Sequence, residues 1–485
     1  MITPGVIIRA GRWIITAGVM SFPRSATSVL AALAICCGIA VVRGAGQGAP
    51  EPLLLTGARI LDARAGRYVD APAVLVVGDR IDAVLQEAPP NLPPGTRRID
   101  LAGRTLVPGL GDMFAWTSPD GSTDADFYYA MALAHGVTTY RVVGARLPWA
   151  ASQRDRVKSG EVLAPRLWIG GLRLYQQGEP SLTMQRVADA ASARLEVDEQ
   201  ASLGADWVSI AGTTTADVGR AAVRAARVQK KRVSAEPGTM PASELIRLGV
   251  DALDRVGFVG RSREDLDREL SARPDYPRDD RDAAADHLWR YAADADLRPV
   301  IPPALRQRIV VIPMLASFNG TLSADSLKQD AALQALPARW RDGLLKRAHA
   351  AAWPGATRAA RAAEIRRRLV RAFITAGARI APGVDVGSSG YNVPGAGVHR
   401  ELAILVAAGL SPAVVIRAAT VNCAELVGAG GTLGQIAAGF KADLIAVEGD
   451  PLARIEDLQR ITLIVRGGEV LDRDQLLAQA RRAAR

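Results

Sequence analysis

Histidine is scarce in this 485-residue chain: four in all, at His135, His287, His349 and His399. No two stand at a metal-ligand spacing such as H-x-H or H-E-x-x-H, which excludes the common zinc motifs. Cysteine is scarcer still. Cys36, Cys37 and Cys423 are too few for a disulfide scaffold. Lysine is also rare: only six of the 60 basic residues are lysine, so 54 are arginine. The excess of 60 basic over 50 acidic residues gives a net charge of +10. These arginines are scattered among Asp, Glu and Ala, however, and no window forms a basic stripe with interleaved aromatics, so nucleic acid is not expected as a partner. A hydrophobic share of 49% with 23% charged residues excludes disorder and a polytopic membrane protein.

One long uncharged run is present, from Ser25 to Val42, with Arg24 before it and small residues, Arg43-Gly-Ala-Gly-Gln-Gly-Ala-Pro50, after it. This reads as a secretory signal peptide within residues 1–48, with Met20 as an alternative start. Export to the periplasm or medium follows, and no stable membrane association if the segment is removed. A retained segment would be a membrane anchor.

Beyond residue 52 the text opens with short apolar β runs, Leu53–Ile60, Ala73–Val77, Arg80–Leu85 and Thr96–Leu101, set apart by Gly, Asp and Pro. From 106 to 429 short apolar runs alternate with Ala-rich amphipathic segments. The runs include Thr138–Val143, Arg166–Gly170, Trp207–Ile210, Arg232–Ala235, Ala252–Leu253, Ile309–Leu315 and Arg379–Val384. In the helical segment Ala356–Ala376, Ile365, Leu369, Val370, Phe373 and Ile374 fall on one face. About eight β-then-α units over this length predict a TIM (β/α)8 barrel. A charged, Pro-broken stretch at about 258–300 reads as an insertion on it. β text returns near the end, at Asp443–Glu448 and Ile461–Val465, so residues 53–105 and 430–475 are expected to form one small composite β-sandwich domain.

The motifs in this layout are Thr105-Leu-Val-Pro-Gly-Leu-Gly-Asp112, Ala134-His-Gly-Val-Thr-Thr139, Gly204-Ala-Asp-Trp-Val208 and Gly249-Val-Asp-Ala-Leu253. They continue with Gly383-Val-Asp385, Glu401-Leu402, Ala418-Ala-Thr420 and Gly439-Phe-Lys-Ala-Asp-Leu444. In order and spacing they resemble the amidohydrolase superfamily, in its imidazolonepropionase-like and Xaa-Pro-dipeptidase-like branch. The resemblance implies hydrolysis of C–N bonds at a zinc or other divalent metal centre. Such a centre is held by an H-x-H pair after strand one, a carboxylated lysine on strand four, histidines on strands five and six, and an aspartate on strand eight. Mapped onto this chain, those positions carry Phe114 and Trp116, Ser209, Glu236, Arg255 and Asp385. Only Asp385 keeps the ligand identity. The metal centre is therefore expected to be absent and no cofactor is implied, which makes the chain a pseudoenzyme: a binding or accessory protein for a small-molecule ligand.

Each substituted position has a bland reading and a functional one. Phe114 and Trp116 fill the volume left by two imidazoles and a metal, or stack on a ligand. Arg255 replaces the metal as the cation between Glu236 and Asp385, as a plug or as a grip for a substrate carboxylate. Ser209 is a small filler, since no base maps near it. Asp254 would complete an all-oxygen cation site with Glu236 and Asp385 only if it faced them, and strand alternation turns it the other way. His399 and Tyr391 are candidates for the pocket lining. The alternative functions are an active amidohydrolase with Asp385 as base, and a metal-free hydrolase using Glu236 and Asp385 as a carboxylate pair.

Overall fold

A computed structural model describes residues 51–69, 71–117, 125–255, 262–274, 277, 297, 300–318, 328–334, 336, 338–351, 356–385 and 393–483. Residues 1–50 with Cys36 and Cys37, for which a signal peptide is expected from the sequence, His287, Tyr391 and most of the stretch at 258–300 lie outside the described residues.

Eight parallel strands form the centre of the molecule. In chain order they are Leu110–Ala115, Val137–Val142, Arg166–Ile169, Trp207–Ile210, Arg232–Ala235, Ala252–Asp254, Val310–Ile312 and Arg379–Ile380. Ladders join the first three and the last five. A parallel bridge, Gly170 to Trp207, connects the two groups. The ring is completed where the Met113 amide donates to the Pro382 carbonyl at 2.9 Å. This is the (β/α)8 barrel expected from the sequence. Its strands are short and largely buried on both faces because helices cover the outside and side chains fill the inside.

The helices follow from local signals. Asp189 caps Ala190–Ser202 in a reciprocal capping box with Ser192. Helix Ala356–Thr375 buries Ile365, Leu369, Val370 and Phe373, the face that its periodicity marks out. Each such side chain removed from water contributes about 2 kcal/mol.

Strands from both chain ends build two further sheets. One has four strands, from Leu53–Thr56, Ala73–Val77, Arg80–Leu85 and Arg97–Asp100. The other has six, in which Arg104–Pro108 lies between Arg59–Asp62 and Leu444–Glu448. Leu444 pairs with Pro108 and Glu448 with Arg104, so the two ends of the chain are hydrogen-bonded neighbours. Leu53, Leu55, Val74, Val76, Ile60, Leu106, Leu444 and Val465 share one apolar core there. The run Leu53–Ile60, read as one stretch, is two strands that go to different sheets. Gly57 breaks it, with φ of +76° and Asp100 Oδ1 2.8 Å from where a Cβ would stand. Among the described residues no helix is long and apolar enough to cross a membrane.

Candidate functional site

The first barrel strand brings Asp112, Phe114 and Trp116 into the barrel. Asp112 is buried, and its Oδ1 accepts from the amides of Phe114 at 3.0 Å and Val384 at 2.9 Å, fastening strand one to the chain leaving strand eight. Burial pushes its pKa up to about 7, against the lowering effect of those two amides and of Arg141. Phe114 is completely buried. Its ring is surrounded by three guanidiniums, with the Cζ atoms of Arg173, Arg255 and Arg141 at 5.5, 5.6 and 5.8 Å from the centroid. It fills the lumen and presents no free face to a ligand.

Glu236, Arg255 and Asp385 meet at the carboxyl ends of strands five, six and eight. Arg255 Nη1 lies 3.1 Å from Glu236 Oε1, and its Nη2 donates to Asp385 Oδ2. Glu236 also accepts from Arg173 Nη2 at 2.6 Å, and Asp385 from Trp116 Nε1 at 3.0 Å. The Asp385 amide donates to Ser317 Oγ at 3.2 Å. The carboxylates are thus linked through a guanidinium fork, which suits two oxygens in separate places. Burial alone would raise the pKa of Glu236. The charges of Arg255 and Arg173 outweigh it and hold the group down at about 2. A fourth guanidinium, on Arg366, is near enough to be affected: burial first, then the Arg255 charge, pulls its pKa down to about 10.

A deeper ion pair lies beneath this layer. Arg141 Nη2 meets Asp254 Oδ1 at 2.5 Å with both side chains buried, and Arg141 Nε donates to the Met113 carbonyl. Alternation along strand six implies that Asp254 and Arg255 point to opposite sides. In the fold both serve the barrel interior, because Arg255 has φ of +59° and leaves the strand geometry on which alternation depends. Asp254 is still no part of the Glu236–Asp385 layer, since Arg141 takes it up.

Ser209 is buried, with its Oγ 3.1 Å from Ser234 Oγ, in a hydroxyl pair that holds neighbouring strands. His399 lines a cavity together with His135, Ala403, Arg473 and Leu477, apart from Glu236 and Asp385. Its Nε2 bonds the backbone carbonyl of His135 at 2.8 Å, in the turn that leads into the second strand. On helix Ala396–Ala407, position 399 shares a face with Ala403 and Ala407, whereas Glu401 turns to the segment after strand seven and accepts from the Leu315 and Ala316 amides. Burial lowers the pKa of His399 to about 4 and of His135 to about 3, so both are neutral at ordinary pH.

Comparison with known proteins agrees with the fold that carries this site. The sequence model of the amidohydrolase family matches residues 344–471. No curated protein matches the chain. Among solved structures, a putative prolidase from Bifidobacterium longum is similar at 22% identity with a TM-score of 0.66, over 89% of this chain and 99% of that one. A Xaa-Pro dipeptidase with bound methionine is similar at 19% identity with a TM-score of 0.63, over 87% and 100%. A bottromycin amidohydrolase is similar at 21% with 0.66, over 90% and 91%. The fold is that of the amidohydrolase superfamily, and the resemblance read from the motifs is borne out.

The metal centre implied by that resemblance does not fit the residues present. Among the described residues no three His, Cys, Asp or Glu side chains are placed to hold a metal ion together. The carboxylates at positions 236 and 385 already share a cation of the chain's own, and aromatic rings stand at positions 114 and 116. Sequence reasoning missed Arg141, Arg173 and Asp112. Arg141 could have been found as the one charge inside the apolar run Thr138–Val143, and Arg173 as a charge between Leu172 and Leu174.

Proposed function

We propose that the chain is an exported protein of amidohydrolase fold whose metal centre is lost, and that it acts as a non-catalytic binding or accessory protein for a small-molecule ligand. The observation that carries this reading is the Arg255 fork between Glu236 and Asp385, a fixed positive charge where the resemblance calls for a dication. Asp385, the base of the alternative hydrolase, is engaged on both oxygens, by Arg255 and by Trp116. Glu236 with a pKa of about 2 is ionised and acceptor-only, which makes it a poor general acid for a carboxylate-pair mechanism. Export rests on the uncharged run from Ser25 to Val42.

The test is a turnover assay of the purified full chain on Xaa-Pro dipeptides and cyclic amides, with zinc, with manganese and with a chelator. This reading expects no rate above the uncatalysed reaction in any arm. Chelator-sensitive turnover abolished by Asp385→Asn would restore the metal enzyme. Chelator-insensitive turnover abolished by Glu236→Gln would favour the carboxylate pair.

A further inference from the structure

The opposite end of the barrel has a cavity of about 400 Å³ at the amino-terminal ends of strands five to eight, lined in part by Arg232, Gln307, Arg308, Arg379, Glu425 and Gly430. Its two carboxylates are already engaged. Asp251 Oδ2 takes Arg227 at 3.0 Å and the Val233 amide at 2.8 Å. Glu425 takes Arg64 at 2.9 Å, Arg379, and Arg308 at a looser 3.6 Å. The guanidinium of Arg232 has neither hydrogen-bond nor ion-pair partner among the described residues, and the Gly430 amide meets no acceptor there. Burial lowers the pKa of Arg379; Glu425 opposes this, while Arg308, Arg417 and Arg64 lower it further, the mark of crowded positive charge.

We propose that this cavity binds a small, multiply charged phosphoryl oxyanion, of the size of pyrophosphate or a phosphorylated metabolite. Arg232 and Arg308 supply the forks, and Gly430 a backbone donor. A guanidinium fork matches such an anion bidentately, and an unpaired, half-buried arginine beside a cavity is a donor without its acceptor. The site is separate from the Arg255 layer, which sits at the carboxyl ends of the strands. If the ion pairs on Glu425 serve only to clamp helix Cys423–Leu426 to the barrel, Arg232 has no part in anion binding.

Titration calorimetry of inorganic pyrophosphate into the full-length protein, at low and at physiological salt, tests this. Saturable one-site binding that weakens with salt is expected, roughly ten-fold weaker in Arg232→Ala and several-fold weaker in Arg308→Asn. Asn tolerates the left-handed φ of +56° at position 308, where the side chain is 72% exposed, so this variant carries the test if Arg232→Ala does not fold. No saturable heat at low salt, or equal affinity in the parent and in the variants that fold, would overturn the proposal. So would binding that is lost in Arg173→Ala but kept in Arg308→Asn.

Discussion

Arg255 bridges two carboxylates, Glu236, which Arg173 also pairs, and Asp385, which also accepts from Trp116. Its position after strand six, at φ of +59°, lets one guanidinium reach Glu236 and Asp385 at once. Arg255→Asn accepts the same backbone conformation and removes the charge, so it isolates the electrostatic effect. Denaturant unfolding should show a loss of about 3 kcal/mol, the usual cost of breaking a buried pair from one side. Glu236→Gln should cost less in that background than in the parent, a coupling read by a double-mutant cycle. A zero coupling energy would mean that the cluster is not an interacting unit.

Two buried carboxyls, Asp112 and Glu401, the part-buried Glu236 and two buried histidines set the pH dependence of stability. Glu236 is held at about 2 in the fold, below its ordinary value, so its contribution is present above about 4.5 and is lost as pH falls towards 2. Asp112 and Glu401 are pushed up to about 7 by burial, so their protonated forms suit the fold, and stability is lost as pH rises from about 4 through 7. The buried imidazoles of His399 and His135, held at about 4 and 3, act the other way and lose stability as pH falls below about 6.5, so the two effects largely offset between pH 4 and 6.5 and unfolding midpoints should vary little there. Asp112→Asn keeps an acceptor for the Phe114 and Val384 amides and, by removing one group that loses stability with rising pH, should make the slope of stability against pH more positive between pH 4 and 7. An unchanged slope in that variant would contradict the burial argument.

At the scale of elements, the strands were the most legible part of the chain. Trp207–Ile210 and Arg232–Ala235 have the limits that their apolar runs suggest, because each run is closed by polar or turn residues on both sides. Strand eight was harder: only Arg379 and Ile380 of the run to Val384 pair as a regular strand, although Pro382 goes on to close the ring. The candidate site was legible in part. Strand order brings Glu236, Arg255 and Asp385 to one end, but nothing local reveals that Arg173 and Arg141 complete the charge balance from distant strands. His399 lines a cavity other than the Glu236–Asp385 layer, since nearness in sequence to strand eight does not decide which face of the following helix a residue occupies. The hairpin Ile461–Arg466 to Glu469–Leu471 is fixed by Gly467 and Gly468, at φ of +60° and +83°. A Cβ on Gly468 would stand 1.9 Å from the Gly78 carbonyl oxygen. Gly468→Ala should therefore cost about 2 kcal/mol or more in thermal or denaturant unfolding. A cost near zero would show that the turn relaxes freely.

For the whole molecule, the barrel has the fold of the amidohydrolases it resembles, while the chemistry of its mouth is that of an internal salt. The lumen is occupied by Phe114 and a set of arginines that balance Asp254, Glu236 and Asp385, so the end of the barrel where catalysis would be sought is packed and ion-paired. The ionic layers suit a rigid scaffold: the Arg141–Asp254 pair is fully buried, whereas Arg255 and Glu236 keep part of their surface open to solvent. The most direct measurement is the metal content of the full-length protein, produced in medium supplemented with zinc and manganese and then dialysed. The account predicts far less than one equivalent of either metal per chain, with no change in Asp385→Asn. One tightly held equivalent that disappears in Asp385→Asn would contradict it.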